Sequence, residues 1–171
     1  MPLPGKPEVE LWVETADIER LVLSCELPDI DAWQSWFNIW LQVLNPTLSP
    51  INRYEVSLLL TDDAAIQGLN ATYRHQDKAT DVLAFAAQEA SMPGSQDVYQ
   101  NVSMPLGDLV ISVETAQRQR HGANYSLAQE LAWLAAHGFL HLLGWDHPDD
   151  DSLQKMLDQQ AHLLQYINLA L

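Results

Sequence analysis

Apolar and polar positions along this chain follow two rhythms, and the change from one to the other marks its elements. Between Val9 and Glu14 the side chains alternate, as in a strand with one buried face. Tyr54 to Leu60 reads as a second strand. Asp81 to Ala86 and Leu106 to Val113, rich in β-branched and aromatic residues, read as two more. Elsewhere the repeat is helical: Trp33, Trp36, Phe37, Trp40, Leu41 and Leu44 recur at helical spacing between Asp31 and Leu44, which makes these tryptophans core residues. Asp62 or Asp63 caps a helix running to about Tyr73, and another runs from about Glu114 to Arg120, ending near Gly122. Ser126 with Gln129 forms a capping box for the next helix. Leu131 to Trp145 carries no formally charged residue, so this helix is expected to run through the protein's centre. Asp149, Asp150 and Asp151 load the start of a last amphipathic helix, where negative charge is favourable, and are read as capping residues. Residues 87–105, polar and broken by Pro93, Gly94 and Pro105, are expected to form a flexible insertion loop.

At 171 residues the chain is one domain's worth, residues 1–171. A hydrophobic content of 47% with six tryptophans indicates a folded globule, and no apolar run reaches membrane-spanning length. The Met1-Pro-Leu-Pro-Gly-Lys-Pro start lacks the basic and apolar stretches of a signal peptide, so an intracellular, cytoplasmic protein is expected. Cys25, the single cysteine, excludes an intrachain disulfide and is read as a small buried hydrophobe. A net charge of −15 argues against nucleic-acid partners, whose phosphates are held by Lys and Arg. Yet Arg74, Lys78, Arg118 and Arg120, four of eight basic residues, fall in two short stretches beside His75 and His121. They can form a local positive patch if the stretches meet, or serve as solvated charges on helix ends.

The chemistry is concentrated in His137-Gly-Phe-Leu-His141-Leu-Leu-Gly144-Trp-Asp-His147. Helical positions four apart share a face about 6 Å apart along the axis, so His137 and His141 can address one ion. On a straight helix His147 would lie about 9 Å further on, out of reach of a bond of about 2 Å. Gly144, free to adopt the left-handed conformation, lets the chain turn back. Three neutral imidazoles leave a fourth position for water, the catalytic kind of zinc site; the donor set also accepts nickel or copper. The H-x3-H-x5-H spacing matches metzincin proteases, but their glutamate base is replaced by Gly138, which argues against peptide hydrolysis.

The motif, together with Leu69-Asn70, Tyr73-Arg74, Thr80-Asp81-Val82-Leu83-Ala84-Phe85 and Leu106-Gly107-Asp108-Leu109-Val110-Ile111-Ser112, resembles the YbeY endoribonucleases, or rRNA maturation factors, over residues 55 to 150. The resemblance implies a single-domain α+β fold of zincin-like layout: a mixed four-stranded sheet with about five helices and a zinc ion on His137, His141 and His147. It implies single-strand-specific cleavage of RNA, used to mature the 3′ end of small-subunit rRNA and in ribosome quality control. Ribosomal partners are expected, with neither DNA nor membrane among them. Arg74 is carried over as the residue that touches phosphate. Two other readings share the histidines: a zinc hydrolase of non-RNA substrates, and a non-catalytic, metal-stabilised ribosome-assembly factor.

Overall fold

A computed structural model describes residues 5–90, 96–120 and 122–171 of the protein. The expected alternation produces β1 (Glu8–Thr15), β2 (Arg53–Thr61), β3 (Val82–Ala86) and β4 (Met104–Ser112). They form one mixed sheet in the order β1-β2-β4-β3; β1, β2 and β4 run parallel and β3 lies antiparallel on the β4 edge. Among the described residues there are six α-helices, one more than expected: α1 (Glu19–Val22), α2 (Ile30–Leu44), α3 (Asp63–Arg74), α4 (Val113–Gln119), α5 (Leu127–Leu142) and α6 (Asp150–Tyr166). The extra element is α1, a single turn too short for a periodic signal.

Leu109 and Ile111 of β4 face one side of the sheet with Val56, Leu58 and Leu60 of β2, forming the main core with α2, α5 and α6. Val110 between them points the other way, where Ile66 of α3 and Leu83 of β3 make a smaller cluster. The expected tryptophan core is present: Trp33 and Trp40 are fully buried, and Phe37 packs edge-on to Phe139 of α5 at 5.1 Å. Trp40 adds a bond from Nε1 to the Leu163 carbonyl at 3.1 Å, pinning α6. The sheet on one side and the α2 aromatics on the other bury α5, and eleven of its residues are inaccessible. Cys25, expected to be buried, is only partly so; its thiol donates to the Leu21 carbonyl at 3.0 Å. No helix among the described residues is long and apolar enough to cross a membrane.

The expected 87–105 loop is shorter than its composition suggests. Met104 and Pro105 pair with Tyr54 and Glu55 as the start of β4, and Gln96–Gln100 form a 3-10 turn. Residues 91–95, with Pro93 and Gly94, lie outside the described residues, as do Met1–Pro4 and His121. After Pro105 the register slips by one residue, so that Leu106 enters the core and Gly107 takes φ +134°. A Cβ at Gly107 would collide with the Phe85 carbonyl oxygen of β3. Gly107→Ala is therefore expected to cost about 2–4 kcal/mol, combining strained backbone with a backbone clash. Urea denaturation measures this; an unchanged midpoint would show that the bulge tolerates a side chain.

Candidate metal centre

Ser126 and Gln129 make the expected capping box, and α5 then carries Trp133, His137 and His141 at four-residue intervals on one face. After Leu142 the chain closes a Schellman turn, with Trp145 N–H donating to the Leu140 carbonyl and Gly144 N–H to the His141 carbonyl, both at 3.0 Å. Gly144 takes φ +92°, as its expected role as a turning point requires. The turn brings His147 back, so its ring centroid lies 5.2 Å from that of His141 and 5.7 Å from that of His137. One nitrogen from each of the three rings falls within 4.8 Å of the others.

The outward ring nitrogens determine what the inward ones can do. His141 Nδ1 lies 2.8 Å from the Trp145 carbonyl, an acceptor supplied by the Schellman turn itself. His137 Nδ1 lies 3.2 Å from Oε1 of the buried Gln160 on α6. With a proton on each Nδ1, both Nε2 atoms present lone pairs to each other across 3.1 Å. Two lone pairs so close repel each other unless a cation sits between them, and neutral imidazole is the form a metal binds. Burial pushes the pKa of both His137 and His141 below the ordinary histidine range, with their positive neighbours adding to the effect and the hydrogen bonds to Gln160 and Trp145 opposing it. The donor set thus fits one ion.

Position 138 is occupied from the sheet side. A Cβ on Gly138 would meet Leu109 Cδ2 at 2.6 Å, so a side chain at this position requires Leu109 of β4 to shift.

Beside the histidines opens a cavity of about 520 Å³ whose lining includes Arg74, Asp81, Glu89, Trp133 and Asp146. Arg74 is the last residue of α3, and Asn70, one turn earlier, fixes the chain that follows: its amide donates to the Lys78 carbonyl at 2.9 Å and its own carbonyl accepts from Gln76 N–H. The Arg74 guanidinium donates to the Ala84 carbonyl of β3 at 2.7 Å, lies over the Phe85 ring at 5.4 Å and faces Glu89 at 3.5 Å. Asp81 is already committed, accepting from Val82 N–H at 2.8 Å and from the Gln119 amide at 3.0 Å.

Of the four basic residues only Arg74 lines this cavity. Arg118 turns away to Asp63 at 2.7 Å, and Lys78, Arg118 and Arg120 are not part of the cavity lining. Asp108, in one of the sequence blocks, also lies elsewhere: it lines a separate hollow on the opposite sheet face with Trp12 and Tyr73. Trp133, Glu89 and Gln160 were not singled out from sequence. Trp133 falls at the helical spacing of His137 and His141, and Gln160 interrupts the apolar face of α6, but nothing local signals Glu89. Asp149 caps α6 through Ser152 and stays outside the cavity lining, as expected of a capping residue.

A sheet-backed helix that presents convergent imidazoles to a cavity lined also by an arginine from α3 makes a candidate metal site of the kind hydrolases use. Comparison with known proteins narrows the class. The family model described as Endoribonuclease YbeY matches residues 23–168, and the chain belongs to that family. Proteins named Endoribonuclease YbeY from Acaryochloris marina and Synechocystis sp. are 56% and 50% identical to it. The first alignment covers 81% of this chain and 78% of the relative, the second 95% and 92%. A third, from Picosynechococcus sp., is 45% identical over 95% of this chain and 96% of the relative. A Thermotoga maritima protein solved in solution shares the fold, with a TM-score of 0.55 and 21% identity over 92% of this chain and 89% of that one.

The lowered histidine pKa values have a consequence for the metal-free protein. Unfolding returns both rings to about 6.5, so the unfolded chain binds more protons just below that pH. The stability these neutral rings confer is present above about 6.5 and lost as pH falls through their folded values. Thermal melts of chelated protein between pH 7.5 and 5 are expected to show a steeper loss in the wild type than in a His137→Asn/His141→Asn variant. Parallel slopes would contradict the burial effect.

Proposed function

We propose that this chain is a zinc-dependent endoribonuclease that cuts single-stranded RNA in the cytoplasm, acting in maturation of the small-subunit rRNA 3′ end and in ribosome quality control. The observation that carries this reading is that His137 and His141, which cluster with His147, line the same cavity as Arg74. His137, His141 and His147 would hold the ion, which supplies Lewis acidity at a phosphoryl group. Arg74 donates from its planar fork to phosphate oxygens and stabilises the charge that develops on them. Its bond to Ala84 and the Phe85 ring beneath it orient that fork before substrate arrives. Trp133, on the cavity wall one helical turn before His137, offers an aromatic face to an unpaired base. Duplexes hide such faces, which favours single strands.

The acidic surface makes delivery part of the function. With Asp81, Glu89 and Asp146 around one arginine, the cavity gains little from long-range attraction of a polyanion. A ribosomal surface that presents the RNA end supplies the encounter that charge does not.

Two measurements test this. A fluorescent single-stranded RNA is expected to be cut by zinc-loaded protein, spared after chelation and cut again when zinc is restored. His141→Ala is expected to lose both bound metal and cleavage; retention of both would remove the histidines from the site. Arg74→Ala is expected to keep its metal while kcat/KM for RNA falls ~100-fold, as for loss of one preorganised donor to a developing anion. Metal-dependent turnover of a peptide or small ester that survives Arg74→Ala, without RNA cleavage, would overturn the assignment.

A further inference from the structure

Gln160 stands on the apolar face of α6 with Met156, Leu163 and Leu164, and only 1% of its surface is exposed. A primary amide so deeply buried is costly unless both ends are bonded. Its Nε2 donates to the Trp133 main-chain carbonyl on α5 at 2.8 Å, and its Oε1 faces His137 Nδ1 at 3.2 Å. A carbonyl can only accept, so the amide cannot be flipped: its NH2 belongs to Trp133 and its oxygen to His137. His137 must then carry its proton on Nδ1 and its lone pair on Nε2, the atom 3.1 Å from His141 Nε2.

We propose that Gln160 is the positioning residue of the metal centre, holding His137 in the tautomer that binds an ion. This rests on the reading of the three histidines as ligands. The two α5 histidines are oriented by different means. His141 is oriented by the carbonyl of Trp145, four residues away on the turn that ends its own helix. His137 depends on a side chain 23 residues away on another helix. Seating of α6 against α5 is thereby a condition of metal affinity, and a change anywhere in that helix packing reaches the ion through one amide.

The test is zinc affinity of the full-length chain, measured by competition with a chromophoric chelator, in wild type, Gln160→Leu and Gln160→Glu. Loss of the acceptor in Gln160→Leu is expected to weaken zinc binding 10–100-fold. Gln160→Glu keeps an oxygen acceptor for Nδ1–H and, when its other oxygen is protonated, still donates to the Trp133 carbonyl, so it is expected to bind zinc more tightly than Gln160→Leu. Nitrogen NMR of the chelated wild type is expected to show the His137 proton on Nδ1, a readout that survives if Gln160→Leu fails to fold. Equal affinity in all three proteins, equal loss in both variants, or a wild-type proton on Nε2 would each overturn the role of Gln160 alone. A wild type that binds no zinc would overturn the ligand reading beneath it.

Discussion

His137 Nε2 and His141 Nε2 lie 3.1 Å apart, and with both Nδ1 atoms protonated toward their acceptors the two lone pairs repel unless a cation is shared. The surrounding structure prevents the rings from relaxing apart. Behind them α5 lies so close to the sheet that a side chain at position 138 would displace Leu109, while Phe139 is locked among the aromatics of α2. The outward nitrogens are held by the Schellman turn on one side and by α6 on the other. The free energy needed to hold the rings in place comes from burial of a helix that is apolar nearly all round, not from the histidines themselves.

The same packing explains how a strongly acidic chain can serve a polyanionic substrate. One arginine is oriented in advance by a β3 carbonyl and an aromatic ring, and its local field does not depend on the protein's net charge. Arg118 is neutralised within the fold by Asp63, whose carboxyl, despite the opposing cost of burial, is held below the ordinary range by bonds from Ser112, Thr115 and Arg118. Arg74 meets Glu89 across solvent-accessible space, where a pair is worth little and a phosphate group can compete for the guanidinium.

Much of this was legible in the residues because it rests on local rules. The strands, the aromatic face of α2, the capping box at Ser126 and the glycine turn at Gly144 each follow from periodicity or backbone freedom within a few positions. The histidine cluster was legible for the same reason, its three members lying within eleven residues on one helix and its turn. What escaped depends on long-range packing. Gln160 meets His137 only because α6 folds back on α5, and Glu89 reaches Arg74 only through the turn after β3. Gly138 reads locally as a missing base; only the approach of Leu109 from β4 shows that it is a packing contact. Nor did sequence proximity reveal that Asp63 would capture Arg118.

The bond from Arg74 to the Ala84 carbonyl has a consequence beyond charge placement. β3 is an edge strand, and its free side borders the cavity. An open edge is where an extended polypeptide would bind, adding itself to the sheet through main-chain hydrogen bonds. Here the Ala84 carbonyl is already occupied by the Arg74 guanidinium. The same guanidinium that faces the cavity thus takes up an acceptor that an added strand would need at Ala84.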